Sequence, residues 1–310
     1  MIKQPYLSLQ LRTFSPEAPQ SWQPVIDQAI AADLAGIGKV VVSDHVAFGE
    51  QLDAYGKPEI GGVLGGKQPT GPDGHWLEPI TFLSLISGVT KNVRLGTNIL
   101  LAALRRPTVL AKTLATLDVL SEGRVDLGVG VGWQKEEYEA CGLDFRSRGR
   151  ILDHTLEVCQ LLWQNDVASY ESSELEFSSI HAMPKPVQPN GVPIWVSGTV
   201  NKRSMQRLAR FGSGWIPWGP DANDIQSGIQ SMRESVLKLG RNPEDIQVMG
   251  ILPIARNGTD IDIEETMNDV PELIESGVTD FRAYLGIPAG LEQATDYLSK
   301  VVQRFQQVSM

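Results

Sequence analysis

The chain has 310 residues, 42% of them hydrophobic, and its 27 basic and 37 acidic residues give a formal net charge of −10. An acidic chain without basic runs lacks the electrostatic footprint that binds nucleic acid or anionic membranes, so we expect neither partner. Two cysteines are too few for a disulfide framework, and without an apolar run of signal-peptide or membrane-spanning length we expect a cytoplasmic protein.

Short β-branched apolar runs alternate with amphipathic helical patterns along the whole chain. In chain order, the pattern predicts strand 6–11, helix 22–35, strand 39–43, helix 78–89, strand 93–99, helix 107–120, strand 124–129, helical turns around residue 138, helix 150–163, strand 194–197, helix 201–211, strand 215–218, helix 221–239, strand 247–254, helix 263–276, strand 280–284 and helix 291–306. The run Val40-Val41-Val42 is typical of a strand covered on both faces, as in a parallel sheet.

Two segments interrupt this alternation. Residues 49–77 form a long glycine-rich excursion, and loops of this length in a compact domain are lids, binding loops or disordered segments. Residues 164–193 form an insertion, in which 169–177 is predicted to be a polar hairpin and four prolines give an extended lead-in to the next strand.

Eight strand–helix units in a chain of this length predict an α/β fold, a (β/α)8 TIM barrel with insertions, as a single domain over residues 1–310. An open doubly wound sheet is the alternative. It would place a glycine-rich phosphate-binding turn after an early strand, and residues 13–20 contain no glycine. The sequence therefore favours the barrel.

Polar residues and glycines gather at the predicted C-terminal strand ends, in segments 43–45, 96–98, 128–133 and 197–199, where barrel enzymes have their active sites. The glycines of 128–132 allow close approach to a flat ring or a phosphate, but tight strand–helix packing explains a single Gly-x-Gly equally simply. Segment 197–199 precedes a helix, so it indicates either an anion site or N-capping by Thr199 or Asn201.

His45 is the histidine that falls at a predicted strand end, and it is either a structural hydrogen-bonding residue or a catalytic one. Its neighbour Asp44 could cap a helix, orient another side chain or contact a ligand. The four histidines are scattered and form no His-x-His pair, which argues against a metal-dependent barrel hydrolase, and we expect no metal ligands.

Several motifs follow one another in an order known from one family. They are Glu78-Pro79 and the segments 93–97, 106–112, 117–124, 127–133, 184–189 and 193–195. Over about residues 5 to 287 the chain resembles the luciferase-like monooxygenase superfamily, most closely its deazaflavin (F-420)-dependent oxidoreductase branch. Residues 78–163 carry the most specific part of this resemblance.

The resemblance implies a barrel that holds either the deazaflavin coenzyme (F-420) or FMN in its mouth. It implies that Asp44 and His45 are the catalytic pair, and that a non-prolyl cis peptide bond joins Asn98 to Ile99. The residues it places against the cofactor are Thr97, Asn98, Ile99, Gly130, Gly132 and Trp133, with Ser197, Gly198 and Thr199 at the phosphate. Dimers are common among similar proteins, so a homodimer is also an expectation.

The function implied is an oxidoreductase that transfers a hydride to a small organic substrate or oxygenates it, with His45 in hydrogen bonding or proton transfer. A non-catalytic flavin-binding barrel and a metal-dependent hydrolase are the alternatives. Four aromatic residues either line an apolar substrate cavity or pack in the core: Phe48, Trp76, Trp133 and Trp218. Four basic residues either contact the acidic tail of the deazaflavin or are solvated surface charges: Arg105, Arg106, Lys202 and Arg203.

Overall fold

Eight short runs of mainly buried residues form a closed parallel barrel in the computed structural model, which describes residues 4–309. The strands are β1 (Tyr6–Gln10), β2 (Lys39–Val42), β3 (Arg94–Thr97), β4 (Val125–Val129), β5 (Ile194–Gly198), β6 (Gly212–Pro217), β7 (Gln247–Ile251) and β8 (Asp280–Ala283). Strand order follows chain order, and the pairing of Tyr6 with Asp280 closes the barrel between β1 and β8. The predicted (β/α)8 fold is confirmed.

Helices connect the strands and cover the outside of the barrel. They are α1 (Gln23–Ala35), α2 (Pro79–Val89), α3 (Pro107–Leu120), α4 (Lys135–Ala140), α5 (Arg148–Gln164), α6 (Lys202–Phe211), α7 (Pro220–Asn223), α8 (Ile225–Lys238), α9 (Ile263–Thr266), α10 (Val270–Ser276) and α11 (Leu291–Ser309). Between residues 4 and 309, every helix is too short or too polar to cross a membrane.

Two predicted helices are each divided in two. Asp224 ends α7 and caps α8, because its carboxylate accepts the amide of Ser227. Pro271 lies in the first turn of α10, where its missing N–H leaves no hydrogen bond unmade, so a new helix starts there. Strand ends also differ: β3 stops at Thr97 rather than residue 99, β6 begins at Gly212, and β7 stops at Ile251.

The N-terminal end of the barrel interior is filled by paired charges, which we call the floor network: Lys39, Arg94, Asp126 and Asp280. Lys39 is 1% exposed, and its Nζ lies 2.6 Å from Asp280 Oδ2 and 3.4 Å from Asp126 Oδ2. Arg94 Nη2 lies 2.7 Å from Asp126 Oδ1. Burial opposes ionisation of Asp126, but Lys39 and Arg94 together hold the pKa of its carboxyl below the ordinary value.

The segment 49–77, called the long loop, is more ordered than its glycine content indicates. It contains 3-10 turns at Leu52–Gly56 and Pro58–Ile60 and ends in His75–Trp76, which pairs antiparallel with Phe14–Ser15. In the insertion, Ala168–Glu171 pairs antiparallel with Glu176–Ile180, so the predicted hairpin is confirmed. The long loop reaches the C-terminal end of the barrel, where Trp218 Nε1 donates to Gly62 O at 3.3 Å.

Candidate active site

A cavity of about 1100 Å³ opens between the C-terminal strand ends and the long loop. The predicted strand-end segments converge on it, and the predicted residues that line it are Asp44, His45, Asn98, Ile99, Gly130, Gly132, Trp133, Ser197, Gly198 and Thr199. Thr97 does not line it. This side chain is buried and donates to Gly128 O at 2.7 Å, so its hydroxyl is used within the fold rather than in the cavity.

His45 follows β2 and is held from both sides. Its Nδ1 lies 3.3 Å from Glu137 Oε2, and its Nε2 lies 3.0 Å from Gln68 Nε2 in the long loop. An ionised carboxylate only accepts hydrogen bonds, so the proton is assigned to Nδ1, and Nε2 accepts from the Gln68 amide. His45 therefore presents Nε2 as the nitrogen that can exchange a proton with a ligand.

Glu137, in the first turn of α4, was not predicted. It is 1% exposed, and its other carboxylate oxygen accepts the amides of Val46 and Ala47 behind His45. In the sequence it is one of two adjacent glutamates, Glu136 and Glu137. Which of them is buried depends only on which face of the six-residue helix α4 packs against the barrel. No sequence signal distinguishes them.

Asp44 has a different environment from the one expected. Its Oδ2 lies 2.6 Å from Arg105 Nη1 and 2.8 Å from the amide of Leu101, and its Oδ1 lies 3.1 Å from Arg105 Nη2. Arg105 also donates to Glu78 Oε1 at 2.9 Å. Both oxygens of Asp44 are thus used to hold the chain after β3, so Asp44 positions the site rather than presenting a free carboxylate.

The same ion pair corrects the expectation for Arg105, because its guanidinium is occupied by Asp44 and Glu78. Arg106 and Lys202 lie outside the cavity lining. Of the four basic residues considered for an acidic cofactor tail, only Arg203 lines the cavity.

The Asn98–Ile99 peptide bond is cis, as the resemblance implies. The nearby glycines have packing reasons of their own. A Cβ on Gly130 would lie 2.9 Å from Ile99, and one on Gly132, whose φ is +68°, would lie 2.7 Å from Leu101. Tight packing around this turn therefore accounts for both glycines, and both also line the cavity.

Side chains of the protein itself accept the amides at the N-terminus of α6. Asn201 Oδ1 accepts the amides of Arg203 and Ser204 at 3.1 Å each, and Asp221 accepts the amide of Val200 at 2.7 Å. N-capping by Asn201 is confirmed, and these amides are not free to bind an anion. A phosphate beside segment 197–199 would therefore need donors other than these three amides.

Side-chain cations are abundant in the cavity. Within residues 4–309, two acidic residues line it, Asp44 and Glu59, and Asp44 is neutralised by Arg105. The basic lining residues fall into two groups. The α5–α6 group comprises Arg146, Arg148, Arg203 and Arg207, and the β8 group comprises Arg12, Lys67, Arg256 and Arg282. In a chain of net charge −10, this concentration of positive charge indicates anionic ligands.

Arg148 of the α5–α6 group donates from Nη1 to Phe145 O and from Nη2 to Ile60 O, at 3.1 Å each, and forms no ion pair with the described residues. Burial lowers the pKa of its guanidinium, and the neighbouring Arg203 lowers it further. Its Nε is buried without a hydrogen-bond partner among the described residues. Arg207, by contrast, is paired with Asp153 at 2.5 Å. Two arginines that repel each other and lack a carboxylate form a site suited to a phosphate.

Aromatic rings cover the outer part of the cavity. Trp76, Trp133 and Trp218 line it, whereas Phe48 packs on His45 with ring centroids 4.4 Å apart and lies outside the lining. Tyr55 of the long loop was not predicted and packs at 5.4 Å from Trp133. Burial raises the pKa of Tyr55, with Tyr284 adding to the rise and Arg282 opposing it. All three side chains line the cavity.

The model of the luciferase-like monooxygenases matches residues 7–297. The chain belongs to this family. Within the described part of this luciferase-like protein, residues 4–309, no cluster of three or more His, Cys, Asp or Glu side chains could hold a metal ion.

The chain is also similar to individual relatives in sequence and to solved structures in fold. An uncharacterized protein of Mycobacterium tuberculosis is 35% identical over 166 residues, a match that spans 54% of this chain and little more than half, 58%, of that protein. The phthiodiolone/phenolphthiodiolone dimycocerosates ketoreductase of Mycobacterium kansasii is 28% identical over 263 residues, 84% of this chain and 68% of that enzyme. An F420-dependent secondary alcohol dehydrogenase, solved with an F420-acetone adduct, has a TM-score of 0.75 at 16% identity, over 97% of this chain and 99% of that one. Likeness at this identity shows the fold alone.

Proposed function

We propose that this luciferase-like protein is a two-electron oxidoreductase that binds the deazaflavin coenzyme or FMN in the cavity and catalyses hydride transfer to a small organic substrate. The observation that carries the proposal is one cavity that contains two arginines without a carboxylate partner among the described residues, Arg148 and Arg203, and a histidine held by a buried glutamate, His45 and Glu137. The ketoreductase relative and the F420-dependent dehydrogenase support hydride transfer as the reaction.

The residues present fit such a coenzyme. Arg146, Arg148 and Arg203 would hold its phosphate, since they line the cavity and none of them is paired with a carboxylate within residues 4–309. The cis turn at Asn98–Ile99 would lie against its ring. When bound in reduced form, the coenzyme supplies the hydride.

The protein supplies orientation and a proton. Reduction of a carbonyl by hydride needs a proton on the oxygen. Once the Gln68 amide is displaced, Nε2 of His45 can take up a proton from solvent and pass it to that oxygen. Glu137 keeps Nδ1 protonated and stabilises the imidazolium that precedes the transfer. Tyr55 of the long loop packs against Trp218, which follows β6, with ring centroids 6.3 Å apart. In this position the loop would exclude water from the reacting groups.

The first test is binding. We expect the purified protein to bind FMN or F420 in absorbance and fluorescence titrations and to oxidise the reduced coenzyme when small ketones and aldehydes are added. Failure to bind either coenzyme would overturn the proposal. Coenzyme binding with no turnover would favour the non-catalytic alternative, and dioxygen consumption with FMN would favour oxygenation.

The second test is His45→Ala, which removes the proton donor. We expect unchanged coenzyme affinity and turnover lower by about 10²–10⁴-fold. His181→Ala is the matched control, because His181 is exposed in the insertion far from the cavity lining, and it should behave as wild type. Full turnover in His45→Ala would contradict the assigned role.

A further inference from the structure

Arg282, in the middle of β8, is a buried guanidinium without an anion. It is 7% exposed, its Nε has no hydrogen-bond partner, and among residues 4–309 no carboxylate lies within ion-pairing distance of it. A buried charge is costly unless it is paired, so such an arginine destabilises the ligand-free protein. Because Arg282 lines the cavity, a ligand that enters the cavity can supply the missing anion.

Aromatic side chains line the same cavity as this guanidinium. The Tyr284 ring centroid lies 5.2 Å from Arg282 Cζ. Tyr55 of the long loop also lines the cavity and packs against Trp133 and Trp218, with ring centroids 5.4 Å and 6.3 Å away. The cavity therefore suits a ligand with an anionic end at Arg282 and an apolar or aromatic body.

The position in the barrel separates this group from the coenzyme phosphate. β8 lies between β7 and β1, whereas the α5–α6 group follows β4 and β5 on the opposite side of the ring of strands. Arg12 and Arg256 follow β1 and β7 and add charge on the Arg282 side. Two cationic groups on opposite sides of one cavity can each bind a different anionic ligand, the coenzyme at one and a substrate at the other.

The proton donor lines the same cavity as Arg282. His45 follows β2, and β1 alone separates β2 from β8. A ligand that fills this side of the cavity can therefore contact both side chains.

Resting on the proposed function, we propose that the substrate is a small organic acid whose carboxylate binds Arg282, with its apolar body under Tyr55. The planar guanidinium offers a two-pronged contact to a carboxylate, and the neighbouring rings exclude water from it. Arg282 thus determines the substrate class, and His45 acts on a carbonyl elsewhere in the same molecule.

The experiment uses matched ligands in calorimetric titrations, with and without saturating coenzyme: benzoate, 2-naphthoate, their carboxamides and phenyl phosphate. We expect the wild type to bind each carboxylate at least tenfold more tightly than its amide. In Arg282→Met this preference should fall below twofold. In Arg203→Met, the control on the opposite side, the preference should remain.

Four results would overturn the inference. They are the absence of carboxylate binding to the wild type, an unchanged preference in Arg282→Met, phenyl phosphate bound more tightly than both carboxylates, and a loss of coenzyme affinity in Arg282→Met. Thermal unfolding gives an independent check. Removing an unpaired buried charge should leave the melting temperature of Arg282→Met equal to or above that of the wild type, whereas a structural arginine would lower it.

The two proposals fail separately. If neither coenzyme binds but the carboxylate preference persists and depends on Arg282, the oxidoreductase proposal falls and the anion site stands. If a coenzyme binds and turns over but amides and carboxylates bind alike, the oxidoreductase stands and the substrate class is wrong.

Discussion

At the N-terminal end of the barrel, Lys39 lies between Asp126 and Asp280, and Arg94 completes the set, so that each buried charge has an opposite charge beside it. At the C-terminal end, Arg282 is almost as well buried and has no carboxylate beside it within residues 4–309. Asp280 of the floor network and Arg282 lie two residues apart on the same strand, β8. What differs is whether the protein itself supplies the counter-charge.

This difference separates structural from functional roles. A charge that the fold has neutralised contributes to the packed floor of the barrel, where the Lys39 ammonium also lies 3.7 Å from the Trp195 ring centroid. A buried charge without a partner lowers the stability of the ligand-free protein. A bound ligand of opposite charge offsets this loss. Floor variants should therefore lose stability, and variants at the mouth should lose binding.

The largest expected effect is at the floor. Lys39→Met leaves Asp126 and Asp280 buried near each other without their shared cation, which should lower the unfolding free energy by about 3–5 kcal/mol in urea titrations. Lys57→Met is the control, because Lys57 and Asp53 form an exposed pair that contributes less than about 1 kcal/mol. Equal losses in both variants would show that burial does not distinguish the two ion pairs.

A smaller effect is expected at the mouth. Arg203 is exposed at the start of α6 and forms no ion pair with the described residues, so Arg203→Met should leave stability unchanged. FMN or F420 should bind about tenfold more weakly, a loss of about 1.4 kcal/mol. Riboflavin, which lacks the phosphate, should bind both proteins alike. A parallel loss for riboflavin would move Arg203 away from the phosphate.

The smallest expected effect is a loss of unfolding free energy at acidic pH. Since the pKa of Asp126 is held below its ordinary value of 3.8, its contribution to stability is present above that pH and is lost as the pH falls through the lower, folded-state pKa. Between about pH 5 and pH 3, the unfolding free energy of the wild type should therefore fall more than that of Asp126→Asn. Identical slopes would mean that the ion pairs of Asp126 are weak.

The barrel was predictable because its signals are local. A run such as Val40–Val42 marks a strand from its own composition, and eight such runs alternating with helices leave few architectures. The position of the site was predictable for the same reason, since all strands in a parallel barrel end at one face.

The partners within the site could not be predicted, because they depend on contacts between distant residues. Asp44 and Arg105 are 61 residues apart, and Gln68 reaches His45 from a loop whose path the sequence does not specify. Glu137 differs from Glu136 only in helix phase. Arg282 could not be recognised because its distinguishing property, the lack of a partner, is visible only when every neighbouring strand is in place.

Both ends of the long loop are fastened to the barrel. At its start, Gly49 donates to Gln134 Oε1 at 2.7 Å, and at its end Trp76 stacks on Phe14 with centroids 4.3 Å apart. Apart from Gln68, which contacts His45, the segment between these two fixed points can change in length and chemistry without disturbing the strands. The substrate specificity of such a barrel can therefore change through one loop while the strands stay the same.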